Sequence, residues 1–342
     1  MRLHTSSALG HTSRSRARGF SLIELMIAML LGLIVIGGVT SVFLAGQQTY
    51  RSNEALSDVQ DSSRIAFEML ARDVRDAGLT ACNNDGRVAN VLGNQTTDWY
   101  ADWDNALHGY DGSQTDPAVT TGTAAGNRVA GTDSLQVLSA GGMGLSVAET
   151  PSGPAANFKL NETTNDLVSG DIILVCDPDH ATLVQITTQN NNNVVLVHNT
   201  GNKVSPGNCS KGLGYPTTCT ANGNSYTFSK NSQIAKLAAA DWYIGNNSAG
   251  GRSLYRASLS TSAETVTVSK QEMIRNVTDM QINYLKSGAG SFVAGALITD
   301  WSTVNAVQIS LTVESTNQRA GTDAKPLTRT FTSTTTVRNR VL

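Results

Sequence analysis

The sequence predicts an α+β protein: a long N-terminal helix, transmembrane in its first half and amphipathic in its second, packed on an antiparallel β-sheet head. Three observations predict it. Residues 25–46 contain no charged side chain. Apolar residues then recur at spacings of three and four as far as about residue 78. From residue 79 the pattern changes to alternation with period two, in a stretch rich in Thr, Ser, Asn and Gly. The division that follows is a basic leader over 1–19, a transmembrane half-helix over 20–46, an amphipathic half-helix over 47–78 and a β-rich globular head over 79–342.

The leader holds Arg2, Arg14, Arg16 and Arg18 and no acid, whereas the whole chain of 342 residues carries a net charge of −2. Such asymmetry marks a membrane-orienting segment. At ~1.5 Å per residue, the uncharged stretch makes about 33 Å of helix, which spans a hydrocarbon core of roughly 30 Å. Basic residues before it hold the N-terminus in the cytoplasm, so the head is exported. The apolar run is longer than a cleavable secretory h-region, and no A-x-A-like site closes it.

Beyond Gly46 the helix pattern continues. Leu56, Val59, Ser63, Ala66, Leu70, Val74 and Ala77 form one stripe, which needs a sheet to pack on. Arg51, Asp58, Arg64, Glu68, Arg72 and Asp76 lie on the other face, with Arg64–Glu68, Glu68–Arg72 and Arg72–Asp76 at i,i+4 spacing. Gly78 is placed to stop the helix.

Strands are expected at 134–138, 171–175, 182–186, 194–197, 252–259, 264–268, 277–285, 304–313 and 328–337. Alternation is clearest where Val307, Ile309, Leu311 and Val313 share a face. The four asparagines at 190–193 read as a turn. Segments at about 83–130, 139–168 and 199–250 read as loops too polar to make a core.

All four cysteines, Cys82, Cys176, Cys209 and Cys219, follow the apolar segment. An even number without C-x-x-C fits disulfides in an oxidising compartment. Cys209 and Cys219 are near enough in sequence to close a small loop, and Cys82 would then pair with Cys176. Four cysteines allow three pairings, and the sequence does not choose among them.

Two clusters invite a metal reading. Asp98, Asp102, Asp104 and Asp111 stand among aromatics, and oxygen ligands suit calcium. EF-hand spacing is absent, however, and a surface loop with aromatic anchors is the simpler reading. Asp177, Asp179 and His180 adjoin Cys176, where Pro178 suggests a short acidic turn. His108, His180 and His198 are scattered. No nucleophile elbow, phosphate-binding loop or zinc signature appears, so no enzyme, cofactor or metal is expected. Lys203, Lys211 and Lys230 lie in polar loops without an aromatic platform, which argues against nucleic acid.

Gly19-Phe20-Ser-Leu-Ile-Glu24, after a short basic leader and before an apolar helix, resembles the type IV prepilin signal, G/F-x-x-x-E. Blocks spread over the chain, among them 63–82, 131–138, 170–187, 253–259 and 334–342, are similar to PilW-type minor pilins. The resemblance implies a pilin-like fold and a periplasmic head. It also implies that a prepilin peptidase cuts after Gly19 and that Phe20 is then N-methylated. Near the helix centre in a bilayer an acidic side chain costs roughly 2.5–3.5 kcal/mol, and no Lys or Arg within 19–46 offsets Glu24. The resemblance makes Glu24 a register group whose partner, the N-terminal amine, belongs to a neighbouring subunit. Implied partners are minor pilins of the PilV, PilX, PilE and FimU types, a PilY-type tip adhesin, the major pilin and the inner-membrane assembly platform. A minor pseudopilin J of type II secretion shares the signal. Unlike major pilins, the helix has no Pro about twenty residues past the junction, although Gly37 and Gly38 stand there as possible weak points.

Overall fold

In the computed structural model, which describes residues 19–82, 87–95, 97–150, 155–163, 166–189, 194–201, 203–321, 323 and 325–340, helix α1 runs unbroken over Leu22–Asp76. Gly37 and Gly38 do not interrupt it. Residues 1–18 of the leader and the 190–193 asparagines lie outside the described residues. Two compact units divide between Asn53 and Glu54.

In the first unit the apolar side chains of α1 are exposed. Among the described residues, α1 is the one helix long and apolar enough to cross a membrane, and its most apolar stretch has no buried residue. The hydroxyls of Thr40 and Thr49 bond back to the carbonyls of Ile36 at 2.8 Å and Ala45 at 3.0 Å. Such back-bonding satisfies a polar group without water.

In the second unit the last part of α1 buries Ala55, Val59, Ser63, Ala66, Leu70, Ala71 and Val74. This is the predicted stripe, shifted at its start: Ala55 is buried and Leu56 half-buried. None of the three i,i+4 charge pairs on the opposite face forms an ion pair among the described residues. Those side chains face water, where holding two long chains together gains little. Gly78 takes φ +69° just past the helix end, and its N–H donates to the Leu138 carbonyl at 2.8 Å. A residue with a Cβ is strained there.

Two sheets form the head. The larger contains β1 (Val88–Asn90), β2 (Leu107–Tyr110), β3 (Ser134–Glu149), β4 (Asn157–Leu160), β5 (Ile172–Cys176), β6 (Ala181–Gln185), β7 (Val195–Val197), β8 (Gln233–Asn246), β9 (Arg252–Ser262) and β10 (Thr265–Arg275). The smaller contains β11 (Val277–Lys286), β12 (Val293–Ala294), β13 (Val304–Glu314) and β14 (Thr328–Thr336) in the order β12-β11-β13-β14. Pairing is antiparallel except between β1 and β6, which run parallel. β8 is the centre of the larger sheet: β3 lies along one side, and β5 and then β9 along the other.

The stripe of α1 joins one core with Leu135, Val137, Trp242, Leu254, Met280, Tyr284 and the inward row Val307, Ile309, Leu311 and Val313. The opposite face of the large sheet is covered by Trp99, Ala101 and Trp103, which pack on Leu138, Leu174 and Leu237.

Every strand expected from sequence is present, with shifted ends, but the segments expected to be polar loops are not. β8 lies in the third of them and buries Trp242 and Tyr243. It is covered on both faces, so it shows no period-two alternation, and its three consecutive alanines carry no strand signal. β3 continues to Glu149, past the glycines at 141, 142 and 144, where its register against β8 shifts between Gly142 and Leu145. Those glycines form a bulge within the strand rather than ending it. β4 and β2 lie in the other two segments, and Phe158, Leu160 and Leu107 are buried there.

Cys82 is joined to Cys176 and Cys209 to Cys219, with no free cysteine. The first bond ties the chain just past α1 to the end of β5 and spans 94 positions; the second spans ten.

Candidate functional site

Ser21 precedes the first helical residue, and Glu24 sits in the first turn. The Ser21 hydroxyl accepts the Glu24 N–H at 3.2 Å, and the Glu24 Oε2 accepts the Ser21 N–H at 3.3 Å. This reciprocal pair is a capping box, which satisfies two backbone donors at the helix start. It gives Glu24 a backbone hydrogen-bond partner in its own chain, which the sequence reading did not include, and leaves the expected charge partner in a neighbouring subunit untouched. The sequence carried the signal, Ser-x-x-Glu before an apolar run. The partial positive charge of the helix N-terminus favours a carboxylate there as well. Gly19 is exposed and Phe20 is 86% exposed.

The second unit has its own attachment between α1 and the sheet. Asp73 Oδ2 accepts the Trp242 indole N–H at 2.8 Å and the Arg256 Nε at 2.9 Å. The Arg256 guanidinium lies 5.7 Å from the Trp242 ring centroid. Sequence reading missed all three. Asp73 is an acid beside the apolar stripe, and its partners lie in strands 169 and 183 positions away.

The acidic stretch from Asp98 to Asp111 has the expected aromatic anchors, but it carries short turns and a strand rather than loop throughout. Trp99 and Trp103 are buried in short 3-10 turns, and β2 follows directly. Its carboxylates have local donors. Asp98 accepts from the Tyr100 hydroxyl at 2.8 Å and Asn94, and Asp102 accepts from Asn105. Asp111 accepts the hydroxyl and N–H of Ser113, and those bonds hold it below the usual carboxylate range. A polar cavity of about 190 Å³ is lined by Asp98, Asp102, His108 and Gln136 among others. No group of three or more His, Cys, Asp or Glu among the described residues is arranged to hold a metal.

Asp177 closes a turn beside Cys176. Its Oδ1 accepts the N–H groups of Asp179 and His180, and both oxygens accept the Tyr226 hydroxyl. Burial, then Asp177, pushes the Tyr226 phenol up to about 12. His180 Nε2 lies 2.7 Å from the Leu213 carbonyl oxygen, and burial lowers its pKa. These groups are committed to backbone and to one another, and none is placed as a nucleophile with its base.

The arrangement therefore combines an exposed apolar half-helix, a capped start with a carboxylate in its first turn, and a disulfide-bonded head. It can anchor in a membrane and pack against other apolar helices. Two sequence families match the chain. Residues 14–40 match the prokaryotic N-terminal methylation motif, and residues 241–340 match type IV pilus-assembly protein W. The second match begins in β8 and takes in β9 and the whole small sheet. No curated protein and no solved structure matches the chain.

Proposed function

We propose, from the premise that this chain is a type IV minor pilin of the pilus-assembly protein W type, that it belongs to the tip or priming complex that starts pilus growth. The observation that carries this reading is the coincidence of two separate family matches, over residues 14–40 and 241–340, on one chain with an exposed apolar half-helix. Prepilin peptidase removes residues 1–19 and methylates Phe20. The apolar half of α1 anchors the subunit in the inner membrane, with the head in the periplasm, until the assembly platform draws it into the filament. Its partners are other minor pilins of the PilV, PilX, PilE and FimU types, a PilY-type tip adhesin and the major pilin. Its work is structural, in support of twitching motility and adhesion.

Glu24 acts in both states. In the free subunit it caps its own helix. In the assembly the N-terminal amine of a neighbour meets the same carboxylate in an apolar stack, where attraction in low dielectric offsets the cost of burying it. A subunit in the wrong axial register leaves both charges unpaired.

The alternative is minor pseudopilin J of type II secretion, which shares the signal; the match over 241–340 favours the pilus reading. Deleting the chain from its host separates them. Loss of surface pili with normal protein secretion, restored by the wild-type chain, is the expected result. Normal piliation with retained secretion substrates would assign the chain to the secretion pseudopilus. Full-length tagged chain purified from membranes in detergent should carry the other minor pilins with it.

A further inference from the structure

Asp241 is anomalous in β8. Its row on the strand reads Leu237, Ala239, Asp241 and Tyr243. It is fully buried, and neither carboxyl oxygen has a hydrogen-bond partner. The residue opposite it on β3 is Gln136, but the Gln136 amide donates instead to Asp116 Oδ1 at 2.9 Å. Asp116 lies in the segment 111–128 that covers this part of the sheet. It also accepts the Ser134 hydroxyl and, at 2.8 Å, the Ala118 N–H. Arg128, 1% exposed, closes the same segment. Its guanidinium donates to the carbonyls of Tyr110, Asp111, Gln114 and Thr132, so it contributes charge without bonding either carboxyl.

One guanidinium faces two carboxyl groups, and a buried carboxylate with no donor is strongly disfavoured. A single proton resolves both problems: Asp241 becomes an O–H donor, and the acceptor against it is Asp116. We propose that Asp241 holds a proton and donates it in a hydrogen bond to Asp116, and that this proton clamps segment 111–128 onto the sheet, so that the clamp loosens as pH rises. Burial, and then the charge of Asp116, raise the Asp241 carboxyl well above the usual range. A divalent cation fits less well, because Asp116 already accepts three donors and Arg128 supplies positive charge.

The other groups facing the pair come from each packed element. The covering segment supplies Arg128, β2 supplies His108 and Tyr110, β8 supplies Tyr243, β9 supplies Tyr255, and β10 supplies Lys270, whose Nζ donates to the Gly126 carbonyl. β3 offers only Ser134 and Gln136, and Ala257 of β9 lies directly opposite Asp241. Burial raises the phenols of Tyr110, Tyr243 and Tyr255, which stay protonated at neutral pH, and lowers His108, which is neutral there.

Hydrogen exchange on the full-length chain in detergent, between pH 5 and 8, tests the clamp. The reporters are the amides of Gly126, Arg128 and Val129, which bond to Asn246, Thr120 and Ile244. Opening in this range releases the Asp241 proton, because a free carboxylic acid ionises near pH 4. Protection corrected for intrinsic exchange should fall about tenfold per pH unit until Asp241's own titration in the closed form is passed. Asp241→Asn keeps a donor towards Asp116 without a titrating proton, and its protection should be independent of pH. Unchanged protection of the β13 amides checks that the variant is folded. A pH-independent wild type, or an equal slope in Asp241→Asn, overturns the proposal. So does a rise in wild-type protection on adding calcium at pH 7, which would make the pair a cation site.

Discussion

Asp73 on α1 and Trp242 on β8 are joined by a 2.8 Å hydrogen bond from the indole N–H to the carboxylate, and Trp242 is 1% exposed. Replacing Asp73 with Ala leaves a buried donor without an acceptor, at a cost of about 1–3 kcal/mol. The Arg256 pair on the same carboxylate adds less, since both partners remain partly in contact with water. A double-mutant cycle of Asp73→Ala with Trp242→Phe, read by chemical denaturation, should give a coupling of about 1 kcal/mol or more. Additive effects would mean that the indole finds water when Asp73 is removed.

Two substitutions at Glu24 separate capping from charge. Gln can still accept the Ser21 N–H, whereas Val cannot. Both should insert in the membrane, because a costly carboxylate is removed. Only Val should fray the first turn, at about 0.5–2 kcal/mol. If the neighbour's amine needs the charge, both variants lose incorporation, since breaking a buried pair costs on the order of 3–5 kcal/mol. Surface pilus yield, measured beside the processed subunit retained in membranes, reads this out. Normal piliation with Gln and failure with Val would make the cap, not the charge, the required feature.

His198 is buried against Phe158, with ring centroids 4.7 Å apart, and neither ring nitrogen has a partner. Burial lowers its pKa from 6.5 to about 4. Between those values the unfolded chain binds the proton and the folded chain does not, so stability is lost as pH falls through the window. The shift corresponds to about 3 kcal/mol at full development. His198→Phe should flatten the acid limb of unfolding free energy between pH 6.5 and 4. Asp241 has the opposite sign, because its raised pKa stabilises the fold in acid and that contribution fades as pH rises. Single-site variants are therefore needed to separate the two slopes, and an unaltered acid limb in His198→Phe would refute the assignment.

What the sequence made legible follows from how local each signal is. The α1 stripe and the row from Val307 to Val313 repeat at fixed spacing, because one face is buried and the other is not. The Ser21–Glu24 cap is a four-residue motif. β8 was invisible because burial on both faces removes alternation, and β2 and β4 are too short to establish a period. The Asp73–Trp242 contact and the Asp116–Asp241 pair depend on strand register across long separations, which no local pattern encodes. The cysteines lay between these extremes: their number pointed to two bonds and the short separation of Cys209 and Cys219 to the pairing that forms, whereas the meeting of Cys82 with Cys176 across 94 positions rests on the fold.

The central place of β8 also governs when the head can form. Its partners β3 and β5 are synthesised first, and β3 ends about 100 residues before β8 is complete. At about 5–20 residues per second, β3 waits roughly 5–20 s, and β5 a shorter time, with the edge that β8 will take unpaired. An unpaired edge is a template for association with other chains. The newly made chain is therefore most vulnerable before residue 246 emerges, and a holding factor that shields β3 and β5 would act in that interval.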